Sequence, residues 1–247
     1  MSRLDDLWDF SDPAASEQRF REAAAGTDGR AALTQVARAL GLQGHYDEAH
    51  AVLDEVDATR PDPEDAENAE VAVRCALERG RVRRSAGDPD AARPCFETAA
   101  TTARDAGLER LHVDALHMLA MDLPPQQSIT AHLEALRVAR TARSAGARAW
   151  EASLLNNLGM AQHDAGDLPA ALATFEEALA VCRRDGDDER VLVARWMVGW
   201  TLRLLGRDDE ALAVQRSLRA ELDALGASDP YVDEELDLLS GGGRPGR

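Results

Sequence analysis

The sequence predicts an all-α fold: a solenoid of antiparallel helix hairpins, each burying its apolar face on its neighbours. Three observations carry this. Residues 150–179 read as two helices meeting at Ala165-Gly166-Asp167, with Leu155, Leu158, Gly159 and Gln162 on one stripe before the turn and Ala171, Leu172, Phe175, Ala178 and Leu179 on one after it, the spacing of an amphipathic helix. The same register recurs along the chain: glycine seven before a turn, alanine five after it, an aromatic nine after it and alanine twelve after it. The apolar residues are mostly Ala and Leu, with four Phe, two Tyr and one Ile (Ile129), a composition that favours helices and leaves little for strands.

Taken in order, residues 1–10 carry Leu4, Leu7, Trp8 and Phe10 among aspartates, too short to fold alone and apolar enough to dock as an arm on the first helices. Residues 11–26 match the second helix of a hairpin, with Asp12-Pro13 in the place of Asp88-Pro89, so the array opens on a half-unit that covers its first exposed face. The first hairpin runs over about 30–60, turning at Gly44 with Ala49, Leu53 and Val56 after it; Arg60-Pro-Asp-Pro63 stops its second helix. An acidic stretch, 64–70, leads as a solvated connection into a hairpin at 66–106, where Gly80 precedes Gly87 and Ala92, Phe96 and Ala99 follow it.

The third hairpin, 109–145, is degenerate. The frame puts its turn near Gln127, with Ala120, His132, Leu136 and Ala139 in the key places, while Leu123-Pro-Pro125 shortens its first helix and replaces the glycine turn. The fourth, 149–185, is the copy around Gly166: Gly166 ends one helix, Asp167 caps the next, and Pro169 sits in a first turn where its missing N–H has no helical partner. In the fifth, 189–226, Gly199 precedes Gly206, and Ala211, Gln215 and Leu218 follow. A capping helix at 229–240 starts on Asp229-Pro230 and offers Val232, Leu236 and Leu239 to the last core face; the tail 241–247, Gly- and Arg-rich with nothing to bury, is expected to be disordered.

This register resembles the tetratricopeptide repeat, over about residues 11–225. Spacings of 43, 40, 39 and 40 residues between successive turns exceed the 34 of the common repeat, which resembles its long-helix variants. The resemblance implies a right-handed superhelix, one domain over 11–240, and a concave groove that binds a protein or an extended peptide.

Composition excludes several chemistries. All 28 basic residues are arginine, consistent with a GC-rich bacterial genome. Without lysine the chain has no phosphate-binding Gly-Lys-Ser/Thr loop and no Schiff-base lysine. A formal charge of −17 repels polyanions, so neither nucleic acid nor an anionic membrane is an expected partner. Three scattered cysteines, Cys75, Cys95 and Cys182, without a signal peptide predict a cytoplasmic protein. His45/His50 and His112/His117 lie five apart, off the three- or four-residue spacing of helical metal ligands. No nucleophile elbow or dinucleotide turn is present. The expectation is a protein without catalysis, metal or cofactor.

What remains is the groove, which the resemblance builds from first helices at fixed offsets before each turn. Those offsets give Thr34, Gln35 and Arg38; Arg74, Leu77, Glu78, Arg81 and Arg84; Asp114, His117, Met118 and Met121; Ser153, Asn156, Asn157, Met160, His163 and Asp164; and Val193, Trp196, Met197, Trp200 and Arg203. The expected partner contacts are Arg38, Arg74, Arg81, Arg84, His117, Met121, Asn156, Asn157, Met160, His163, Trp196, Trp200 and Arg203. Arg38, Arg74, Arg81 and Arg84 would make the first half of the groove basic and suited to acidic segments. Trp196 and Trp200 stand one turn apart and share a face, core or groove. Asn157 has no helix-forming reason to be where it is; it either holds a ligand's main chain or bonds a neighbouring helix. The expected function is an interaction scaffold; the alternative is a ligand-responsive regulator of a partner protein.

Overall fold

A computed structural model describes residues 4–26, 29–59 and 66–241. The proline stop at 60–63, the first part of the acidic stretch and residues 242–247 of the tail lie outside the described residues. Among the described residues a 3-10 turn, Asp5–Leu7, precedes thirteen α-helices: α1 (Pro13–Ala24), α2 (Gly29–Leu42), α3 (Tyr46–Ala58), α4 (Ala66–Ser85), α5 (Pro89–Asp105), α6 (Glu109–Met121), α7 (Pro125–Thr141), α8 (Ala145–Arg148), α9 (Glu151–Asp164), α10 (Leu168–Asp185), α11 (Asp188–Leu204), α12 (Asp208–Ala224) and α13 (Pro230–Leu239). The described residues contain no strand.

Aspartate starts these helices and glycine ends many of them. Asp12, Asp88, Asp167, Asp187 and Asp229 each accept a backbone N–H of the first turn, and Pro13, Pro89 and Pro230 occupy the position where no N–H is needed. Gly44, Gly87, Gly166 and Gly206 turn the chain within hairpins at φ between 72° and 87°, a left-handed conformation that a Cβ would strain. Gly107, Gly186 and Gly226, with φ of 66–71°, turn it again between one hairpin and the next element. That second series is absent from the predicted register.

The small-residue positions hold helices in close contact. A Cβ built on Gly159 would lie 2.4 Å from the Phe175 ring, and one on Gly80 would lie 2.4 Å from Phe96. Ala92, Ala171 and Ala211 on the facing helices are fully or almost fully buried. In the fifth hairpin the pair is Gly199 with Gln215, whose amide takes the place of a ring.

In the third hairpin the turn follows the proline segment 123–125 and not the frame position near Gln127. Its turn is Asp122–Pro124, and Gln127 already lies in the first turn of α7, because Pro124-Pro125 ends α6 early and then starts the next helix. The register survives: Ala120, His132, Leu136 and Ala139 are all buried. The four-residue helix α8, capped by Ser144, has no counterpart in the predicted pattern.

The chain forms two compact units, Met1–Asp122 with Arg137–Ala149, and Leu123–Leu136 with Trp150–Arg247. In the first, one core joins Phe20, Val36, Leu40, Leu53 and Val71 with Leu4 of the arm, and a second joins Leu77, Phe96, Ala103 and Leu111. In the second unit, Leu172, Phe175, Met197 and Leu202 form one core, and Leu218, Leu222 and Val232 another.

Candidate partner-binding faces

In the first unit the predicted face comes from α2, α4 and α6. Much of it is buried: Thr34 and Gln35, Arg74, Leu77 and Glu78, Asp114 and Met118, with His117 half-buried and Met121 exposed. The arginines do not form a free basic field. Arg74 pairs with Glu70 at 2.7 Å and Arg84 with Asp122 at 2.8 Å; Arg81 bridges Glu78, at 2.6 Å, and Asp114. Glu70 stands one turn before Arg74 and Glu78 three residues before Arg81, whereas Asp114 and Asp122 reach across from the α6 side. The basic face expected from offsets is thus a charge-compensated one.

Burial opposes ionisation in this cluster, and the neighbouring charges decide the outcome. Burial lowers the pKa of Arg81, but Asp114 and Glu78 outweigh it and the net shift is upward. Burial raises the carboxyl of Asp114, but Arg81 and Arg38 hold it below the ordinary carboxylate value. For Arg38 burial dominates, reinforced by Arg81, and its pKa falls. Arg38 and Arg81 together balance Glu78 and Asp114, a neutral group of four charges.

The Arg38 guanidinium is covered by the chain's own N-terminal arm. The guanidinium lies 5.1 Å from the Trp8 ring centre and 5.3 Å from that of Phe10, within cation–π range. The Trp8 and Phe10 rings stack at 4.7 Å. Trp8 Nε1 donates to Gln35 Oε1 at 3.1 Å, and Asp5 approaches Arg110 of α6 at 3.5 Å. The sequence signals a docked arm and, separately, Gln35 and Arg38 at groove offsets, but carries no sign that the one occupies the other.

In the second unit α9 and α11 present an aromatic row. The His163 ring lies 4.4 Å from Trp200, Trp200 stacks on Trp196 at 5.7 Å, and Trp196 meets Tyr231 edge-on at 5.9 Å. Met160, Trp196 and Trp200 are half-buried with their inner sides against the Phe175–Met197 core, so the tryptophans are both core and surface. Asn156 and Asn157 are half-buried on α9, while Met197 is core and Val193 exposed. The Nε1–H of Trp196 is buried with no acceptor. Arg203 is engaged: its guanidinium grips the buried Glu235 carboxylate with two bonds of 2.7 Å. Tyr231 and Glu235 of α13 were missed because that helix was assigned only to capping; their four-residue spacing was the available signal.

Among the described residues, no group of three or more His, Cys, Asp or Glu is placed to hold a metal ion, and no helix is long and apolar enough to cross a membrane. The faces offer rings, amides and paired charges, which suits recognition of another chain.

The family model of the tetratricopeptide repeat matches residues 124–184 and 150–220, from α7 through most of α12. Solved structures share the fold. BtubC (BKLC) from P. vanneervenii is 18% identical with a TM-score of 0.69, over 93% of this chain and 95% of that one. A Podosopora anserina chain described as a kinesin light chain with nearly identical TPR-like repeats is 17% identical, TM-score 0.62, over 86% and 98%. A Rap protein complexed with competence and sporulation factor is 17% identical, TM-score 0.64, over 93% of this chain and 65% of its own length. At these identities the likeness is one of fold, the all-α TPR-like solenoid class. No curated protein matches the chain.

Proposed function

We infer, from a chain that carries tetratricopeptide repeats, that it is an interaction scaffold without catalysis of its own, holding an extended peptide or protein segment on the α9–α11 face of its second unit. The observation that carries this reading is the row His163, Trp200 and Trp196, half-buried on one side and open on the other beside Met160, Asn156 and Asn157. Stacked rings supply apolar area with little side-chain entropy to lose. Amide side chains supply both donor and acceptor for a main chain.

The test is selection of peptides from a displayed random library by the immobilised full-length protein, followed by affinity measurement on the peptides recovered. Asn157→Ala should weaken binding by ~1–3 kcal/mol. A library that yields no binder, or an Asn157→Ala protein that melts lower yet binds equally well, would sink the reading.

A second reading is favoured by the Rap neighbour, whose structure contains a bound factor: a peptide or small molecule on this face would change the affinity of the chain for another protein. It requires two ligands whose affinities depend on each other, whereas independent binding leaves the scaffold reading.

A further inference from the structure

The N-terminal arm makes the contacts of a ligand. We propose that the first unit carries a binding site for a short acidic segment bearing aromatic side chains, centred on Gln35, Arg38 and Arg110, and that residues 4–10 of this chain are its resident, displaceable occupant. This site belongs to the first unit and stands or falls apart from the α9–α11 face.

The arm is gripped at the side chain, the backbone and the charge. Its indole N–H goes to Gln35, its stacked rings lie under the Arg38 guanidinium, and its Asp5 carboxylate faces Arg110. Its backbone is clamped from α1: Arg19 Nε donates to the Leu7 carbonyl at 2.9 Å, and Ser16 Oγ accepts from Asp9 N–H at 2.8 Å while donating to the Asp9 carbonyl at 2.9 Å. Backbone bonds within the arm are long by comparison, 3.3 Å for Leu7 N to Leu4 O and 3.4 Å for Trp8 N to Asp5 O. Its conformation is therefore imposed largely by its surroundings.

The composition of the contact makes the occupant exchangeable. An arm serving only as core would be apolar on every side, whereas Trp8 rests on a guanidinium and an amide, both of which water solvates readily once uncovered. The apolar share is Leu4, 4% exposed, with Leu7 and Trp8 against the same core and the Trp8 ring tilted over Phe20. Phe10 is 60% exposed although it stacks on Trp8. An incoming segment with its own aromatic ring would cover Phe20 again and lie under Arg38, and its carboxylates would meet Arg19 and Arg110. A cavity of 180 Å³ lined by Arg38, Arg81, Arg84 and Met118 continues the same face.

The test uses a labelled synthetic peptide of residues 2–12 and two full-length proteins, the wild type and the double variant Asp5→Arg/Trp8→Ser, whose own arm has lost the indole contacts with Gln35 and Arg38 and the carboxylate contact with Arg110. The peptide should bind the double variant saturably and at least tenfold more tightly than the wild type, where the tethered arm competes at high effective concentration. Adding Arg38→Ala should weaken that binding at least tenfold, and raising salt should weaken it progressively. Equal affinity for the two proteins, no binding to the double variant, or indifference to Arg38→Ala would overturn the proposal. So would a double variant that is unfolded by circular dichroism, since the arm would then be core.

Discussion

Gln215 occupies a place built for a ring. It is 0% exposed, its amide lies where Phe96 and Phe175 lie in two other hairpins, and neither amide atom has a hydrogen-bond partner. An unsatisfied buried amide costs about 1–3 kcal/mol, so Gln215→Phe should raise stability by about 1 kcal/mol in urea denaturation; a lower midpoint would mean the site cannot admit a ring. The converse applies at Gly159, where a methyl group would meet the Phe175 ring at 2.4 Å. Gly159→Leu should cost about 1–3 kcal/mol or more by overpacking, and an unchanged melting temperature would contradict the contact. Both positions were legible in the sequence, because a hairpin register is set by residues close in the chain. The pairing of Arg81 with Asp114, 33 residues away, was not, since spacing along one helix says nothing about which carboxylate the next helix brings opposite.

At the scale of elements, α4 and α6 are joined through that same pair. Breaking a buried ion pair by removing one partner costs about 3–5 kcal/mol, and Asp114→Asn leaves Arg81 with Glu78 alone. The folded pKa of Asp114 is depressed, so its contribution is present above the ordinary carboxylate value and is lost as pH falls through the depressed one. The gap in melting temperature between wild type and Asp114→Asn should therefore be wide at pH 7 and start to narrow only as pH falls below the ordinary carboxylate value. A gap independent of pH would show that the carboxylate charge is not what α6 contributes. Helix starts were readable because Asp-Pro pairs announce them. At the third turn the repeat frame points to Gln127 and the prolines to 123–125, and the turn at Asp122–Pro124 follows the prolines, whose ring geometry acts locally whatever the period. Tyr231 and Glu235 escaped for a different reason: a terminal helix reads as a lid, and its sideways contacts with Trp196 and Arg203 depend on where it docks.

At the scale of the whole molecule, periodicity made the fold class legible, while the occupancy of a face was not. Nothing in the spacing of Trp8, Gln35 and Arg38 joins them; only folding brings the arm onto α2. The left-handed glycines between hairpins carry a further consequence. Gly186 and Gly226 lie 40 residues apart with nearly the same backbone angle, φ of 71° and 66°, and the segment 187–226 between them holds one complete hairpin. A tandem copy of 187–226 would thus leave and enter on matching joints, and the lengthened protein should fold with a higher helical signal and no loss of melting temperature in circular dichroism. Chains of this design can grow by copying genes in whole cassettes, with new binding surface arriving before any new joint has to be invented.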